Sequence, residues 1–180
     1  MNYNFHLKKI GQIKDIILQR FIDDISTFKF KDENFFRCPN HMTIYDYPDN
    51  KTNNNIIIIV SQLSTILNPK DFYSASIDCM LPNSYIKEHV DQDGYGANQS
   101  IALDLHKIHI PIITNPYTKQ IWVTDINNRL DPKIEFLEQG GVYAYNNNAR
   151  HCAINLGDTP RYHLILRYKN LQEYDWMNNV

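Results

Sequence analysis

From Ile56 onward the chain is a succession of short β-rich runs separated by turn residues, and that cadence constrains the fold more than any other feature. The runs are Ile56–Gln62, Phe72–Met80, Tyr85–His89, Ser100–Thr114, Lys119–Thr124, Gly141–Tyr145, Arg150–Leu156 and Tyr162–Tyr168. Between them lie Leu81-Pro82-Asn83, Asn115-Pro116, Gln139-Gly140 and Gly157-Asp158-Thr159-Pro160. Parallel strands need long crossovers, usually helical, and these gaps are mostly too short for them. The pattern therefore predicts a mainly β, antiparallel sandwich or barrel. Upstream, Ile13, Ile16, Ile17, Phe21, Ile25 and Phe28 recur at helical spacing, which predicts one amphipathic helix over Ile10–Phe28. Residues 29–55 read as loop with a short strand around Met42–Tyr47, and the tail Asn170–Val180 as a helical turn with Trp176 tucked down. With 180 residues, no internal repeat and no linker, we expect a single domain: residues 1–55 helix and loop, 56–168 the β core, 169–180 a tail.

Composition narrows the function classes. Eighteen basic against twenty acidic residues give a net charge of −2, which argues against a nucleic-acid binder or a polybasic membrane protein. The longest apolar run, Ile56–Val60, is far short of the roughly 20 residues a membrane helix needs. The opening MNYNFHLKKIGQ has no signal-peptide character. Cys38, Cys79 and Cys152 are odd in number and lack C-x-x-C spacing, so a reducing, cytoplasmic setting is expected.

Sorting the histidines by strand phase locates the chemistry. Residues i and i+2 of a strand share a face. His89 and Asp91 thus project an imidazole and a carboxylate side by side from a strand end. Such a pair suits a non-haem Fe(II) centre completed by a second histidine, with positions left open for other ligands. The triplet alone has low specificity, because H-x-D arises often by chance. His151 opens a run in which Ala153 and Asn155 share its small, polar face, as a cavity lining would, although a solvent-facing side reads the same way. On the last run Arg161, His163, Ile165 and Arg167 share one face. Arg161 stands ten positions after His151 across a tight turn and offers a fork for a carboxylate. Lys107 and His109, also in phase, can bring charge and hydrogen bonds to an acidic ligand, while His106 is out of phase. A surface arginine and a satisfied core histidine are the bland readings of Arg161 and His109. His6 and His41 are expected at the surface.

Taken in order, these segments resemble a known family. Ser76-Ile77-Asp78-Cys79-Met80-Leu81-Pro82-Asn83 leads into a further strand and His89-Val90-Asp91. Lys107-Ile108-His109-Ile110-Pro111-Ile112 follows, then Gly140-Gly141-Val142-Tyr143-Ala144-Tyr145, Arg150-His151-Cys152-Ala153-Ile154-Asn155 and Arg161-Tyr162-His163-Leu164-Ile165. The series is similar to the aspartyl/asparaginyl β-hydroxylase branch of the 2-oxoglutarate and Fe(II)-dependent oxygenases, over about Ser74 to Tyr168. The resemblance implies a double-stranded β-helix, or jelly roll, with the N-terminal helix packed on it. It implies His89, Asp91 and His151 as iron ligands, Arg161 on the distal carboxylate of 2-oxoglutarate, and His109 with Lys107 near the cosubstrate's other end or the substrate. Asn155 and Tyr143 are expected to help aim the histidines. The family usually has arginine where this chain has Lys107, a point charge without the bidentate fork. The presence of Asp91 favours hydroxylation over halogenation.

The resemblance further implies hydroxylation of a C–H bond of an amino acid or of an Asp, Asn or Pro-type side chain, with O₂ consumed and succinate and CO₂ released. A small molecule ranks slightly ahead of a protein side chain. The alternative is a non-catalytic, cupin-like metal-binding module, because two-His-one-carboxylate sites also take zinc and nickel. Arg161 favours the enzyme, since a metal-binding module has no need of it. Oligomeric state is not legible.

Overall fold

Strand Arg161–Tyr168 has large apolar side chains on one face and polar ones on the other, and both faces are buried, so the fold must cover it twice. The computed structural model describes residues 7–25, 41–44 (backbone only), 54–90, 106–123, 132–146 and 149–169. Chain order is β1 (Leu7–Gln12), α1 (Asp15–Asp24), β2 (His41–Ile44), α2 (Asn54–Gln62), β3 (Phe72–Met80), β4 (Ser84–His89), β5 (His106–Ile113), β6 (Thr118–Trp122), β7 (Lys133–Glu135), β8 (Gly141–Tyr145), β9 (His151–Asn155) and β10 (Arg161–Tyr168). A six-stranded sheet runs β1-β8-β5-β10-β3-β2 and a four-stranded sheet runs β4-β9-β6-β7. The pairings are antiparallel. Two facing sheets connected in this way form the expected double-stranded β-helix.

The helices cover one face of the larger sheet. Phe21, Ile59 and Leu63 pack with Ile77, Ile108, Ile110, Leu164 and Leu166 in one buried cluster. The opposite face meets the smaller sheet, with Trp122 of β6 packed on Tyr143 and Tyr145 of β8. Strand alternation therefore divides the sequence between an apolar core and an inter-sheet space. Leu164 and Leu166 go to the first, Arg161 and His163 to the second.

Asn155, fully buried, ties the two sheets together at one end. Its Nδ2 lies 3.0–3.1 Å from the carbonyls of Met80, Leu81 and Thr159, and its Oδ1 accepts from Gly157 N and from Asn115 Nδ2. The adjoining turn comes so close that a Cβ on Gly157 would stand 2.3 Å from Asn115, which accounts for glycine there. This knot fixes where β10 begins, and so where Arg161 emerges.

The expected strand Ile56–Gln62 is instead most of α2. Its β-branched residues favour a strand locally, but Ile56, Ile59, Val60 and Leu63 recur at helical spacing and all four are buried. The expected helix over Ile10–Phe28 is also shorter. Residues Leu7–Gln12 add β1 to the edge of the larger sheet beside β8, and the helix proper runs Asp15–Asp24. Ile16, expected in the apolar stripe, is 77% exposed. β7 is an additional edge strand with little apolar signal. β2 falls within the region expected to hold a short strand. The side chain of His41, and His6, Cys38, Asp91, residues 26–28, residues 100–105 and the tail 170–180, lie outside the described residues.

Leu164 sits at 0% exposure on the central strand, so Leu164→Ala should destabilise the chain by about 2–5 kcal/mol. Leu156, 64% exposed, should tolerate the same change within roughly 0.5 kcal/mol. Urea unfolding monitored by tryptophan fluorescence checks both; equal losses would contradict this division of faces.

Candidate active site

Two histidines meet across neighbouring strands. In the β4–β9 ladder His89 pairs directly with His151, after an irregularity between Ile86 and His89. Their ring centroids are 4.4 Å apart. His151 is buried and His89 half-buried. Both rings are tethered in the same local way. His89 Nδ1 is 2.7 Å from the Lys87 carbonyl, and His151 Nδ1 is 2.9 Å from the Ala149 carbonyl. A carbonyl only accepts, so in each contact Nδ1 is the donor, and a neutral ring so held has its lone pair on Nε2. Two imidazoles side by side with the same tautomer held by backbone carbonyls are a donor set suited to a metal ion. Asp91 lies outside the described residues, and those residues contain no three-ligand cluster by themselves.

The lining behind His151 is aromatic. Trp122 is its register partner on β6, and Tyr145 stands edge-on to it at 6.0 Å. His109 stacks on Tyr145 at 3.6 Å and meets the edge of His163 at 6.1 Å. The indole Nε1 of Trp122 is buried without a hydrogen-bond partner among the described residues.

Arg161 lies deeper, and no carboxylate among the described residues is within ion-pair distance of it. Its Nη1 is 3.2 Å from the Met80 sulfur. Its Nε and Nη2 lie 2.8 and 2.7 Å from the two ring nitrogens of His163. Burial lowers the pKa of this guanidinium, while Tyr145 and Asp78 act in the other direction. Burial, then Arg161 and His109, holds His163 well below the ordinary histidine range, so its ring is neutral. Arg161 and His163 also line a small recess with Thr114, Thr118, Gln120 and Leu137.

The expected residues are distributed as follows. His89 and His151 are adjacent, and His151, Ala153 and Asn155 form the buried face of β9. Arg161 and His109 reach the same space through His163 and Tyr145. Lys107 is placed elsewhere on the strand: it pairs with Arg167, six residues or about 20 Å of strand from Arg161. Asn155 and Tyr143 do not touch the histidines by hydrogen bonds. Asn155 holds the turn knot, and the Tyr143 hydroxyl accepts from Glu138 N at 3.0 Å. Backbone carbonyls do the aiming instead. Met80, Trp122, Tyr145 and His163 were not expected as site residues, although the phase of His163 already put it beside Arg161.

A family model described as "Aspartyl/Asparaginyl beta-hydroxylase" matches residues 29–170. The chain belongs to the aspartyl/asparaginyl β-hydroxylase family. No curated protein matches it. Among solved structures, HygX from Streptomyces hygroscopicus with nickel and 2-oxoglutarate bound superposes with a TM-score of 0.68 at 10% identity, covering 92% of this chain and 83% of that one. A Pseudomonas putida prolyl-4-hydroxylase gives 0.66 at 5% identity over 92% and 93%. A Trichoplax adhaerens prolyl hydroxylase, solved with a hypoxia inducible factor peptide fragment, gives 0.66 at 10% over 94% and 86%. At these identities the likeness shows the shared fold. Family and fold together make this chain a 2-oxoglutarate-dependent hydroxylase. No helix among its described residues is long and apolar enough to cross a membrane.

A buried cation with no carboxylate at ion-pair distance, as Arg161 is among the described residues, costs folding energy. In this hydroxylase Arg161→Met should therefore leave the ligand-free protein equally stable or more stable, by up to about 3 kcal/mol. Added succinate should raise the melting temperature of the parent and not of the variant. A variant less stable than the ligand-free parent would show that Arg161 is already fully compensated.

Proposed function

We propose that this protein is an Fe(II)-dependent dioxygenase that hydroxylates a C–H bond of an amino acid or of an Asp, Asn or Pro-type side chain. One O₂ is divided between the new hydroxyl group and the succinate formed from 2-oxoglutarate, with loss of CO₂. The observation that carries this reading is the buried guanidinium of Arg161, with no carboxylate among the described residues at ion-pair distance, held in the same inter-sheet space as the paired His89 and His151. A structural or simple metal-binding protein has no use for a desolvated cation there, whereas a dicarboxylate cosubstrate supplies its missing partner.

His89, Asp91 and His151 are assigned to the metal. Bound Fe(II) supplies oxygen activation coupled to decarboxylation of the 2-oxo acid. The chain does the rest. The carbonyls of Lys87 and Ala149 hold the two histidines at Nδ1, so that Nε2 is the nitrogen each ring would present to the metal. Arg161 receives the distal carboxylate. His109, stacked on Tyr145, contacts the cosubstrate or substrate with its direction fixed by the stack. Lys107 supplies positive charge towards the Arg167 end of β10. Trp122 and Tyr145 exclude water around His151.

Substrate scope is open to a direct screen. A HygX structure holds hygromycin B and the Trichoplax enzyme holds a peptide, so both classes occur on this fold. Amino acids and short peptides should be tested for Fe(II)-dependent succinate release above the uncoupled background.

The residue assignments give separable outcomes. His89→Ala, Asp91→Ala and His151→Ala should each abolish turnover and weaken Mn(II) binding while the chain stays folded. Cys152→Ala, on the other face of β9, should change neither. Arg161→Ala should raise the apparent constant for 2-oxoglutarate roughly 10- to 150-fold, equivalent to about 1.5–3 kcal/mol, with metal affinity nearly unchanged. Arg161→Lys should recover only part of that loss, because it keeps the charge without the fork. Unchanged Mn(II) affinity in the three ligand variants would refute the metal assignment.

A further inference from the structure

The contact between Arg161 and His163 has a donor–acceptor mismatch. A guanidinium carries five N–H donors and no acceptor. Two of its nitrogens face both nitrogens of one imidazole, at 2.8 and 2.7 Å. A neutral imidazole has one lone pair, so it can accept only one of these bonds. The other contact sets N–H against N–H. Strand geometry maintains the clash: the two residues are i and i+2 on a central strand, both buried, with Met80 on the remaining side of the guanidinium. Only an acceptor entering between the two groups gives every donor a partner.

We propose that His163 takes up a proton when a dicarboxylate binds Arg161, so that cosubstrate binding in this protein is proton-linked. The proposal rests on the cosubstrate role of Arg161 given above. A carboxylate has lone pairs enough for the guanidinium fork and for one imidazolium N–H. Its negative charge also offsets the burial and the neighbouring Arg161 that keep the ring neutral.

Charged and titratable groups approach the ring from several strands. On β10 the neighbours on the same face are Arg161 and, further along, Arg167. From β5 come His109, edge-on at 6.1 Å, and Lys107. From β6 Lys119 lines the recess that Arg161 and His163 share. From β8 come Tyr143 and Tyr145. On β3 the register partner of His163 is Asp78, a half-buried carboxylate that is not at ion-pair distance from Arg161. Among the described residues the cation in contact with the ring is Arg161, and the carboxylate in register with it is Asp78.

The sign follows from linkage. Without ligand, burial and then Arg161 keep the His163 pKa well below the usual range; an anion raises it. Between those two values affinity rises as pH falls, by up to about tenfold per pH unit.

Calorimetry on Mn(II)-loaded protein tests this, because preloading prevents proton exchange at the metal-site histidines from contributing. 2-Oxoglutarate is titrated at about pH 7, near the ordinary histidine pKa, in phosphate, HEPES and Tris, whose ionisation heats differ. The dependence of observed heat on buffer should reveal uptake of a fraction of a proton, up to one, by the parent. His163→Gln should bind with no uptake and with a flat pH profile. His163→Lys, a fixed cation at the same place, should also bind without uptake, and serves if the glutamine variant fails to fold. His109→Gln should keep the uptake. Binding by the parent without proton uptake, or uptake that survives at position 163 and disappears in His109→Gln, would overturn the proposal. Absence of any 2-oxoglutarate heat with metal loaded would overturn the cosubstrate reading itself.

Discussion

The structure depends on one strand being buried on both faces. β10 lies between β5 and β3, with helices behind it and the smaller sheet in front. Leu164, Leu166 and Tyr168 fill the apolar core, and Arg161, His163 and Ile165 face the site. A one-residue slip would send the guanidinium into hydrocarbon and two leucines into the inter-sheet space, so the register has no near alternative. The Asn155 knot at the start of β10 adds a second constraint from the other sheet. Together they place the cation by strand packing, with no charged partner among the described residues at ion-pair distance.

That arrangement sets stability against function. The fold places a desolvated arginine against a neutral histidine, a contact that favours neither group. The histidine pair at the β4–β9 junction is treated differently. Each ring is held at Nδ1 by a carbonyl of its own strand. One half of the site is thus preorganised by hydrogen bonds to the backbone, and the other holds a buried guanidinium with no carboxylate among the described residues at ion-pair distance. Polar groups left uncompensated in an otherwise well-packed domain are a physical signature of binding sites.

The fold class was legible because strand alternation and turn residues are local signals, and most strands from Phe72 to Tyr168 stand where their pattern put them. α2 was not legible. Four consecutive isoleucines and a valine read as a strand, and only packing against the larger sheet reveals the helical spacing. β1 was missed because an edge strand needs a partner, β8, more than 120 residues away. In the candidate site, the shared placement of His89, His151 and Arg161 was legible from phase and from resemblance to the family. The roles of Trp122, Tyr145 and Met80 were not, since each acts by a contact between strands distant in sequence. His163 was visible in phase with Arg161, but its contact geometry was not.

The most direct measurement of the central claim is the visible spectrum of the Fe(II)-loaded protein, held anaerobically, as 2-oxoglutarate is added. A weak metal-to-ligand charge-transfer band should appear, saturate at one equivalent of cosubstrate per chain, and bleach on admission of O₂ with release of succinate. A protein shown to be fully loaded with Fe(II) that gives neither the band nor succinate would contradict the account.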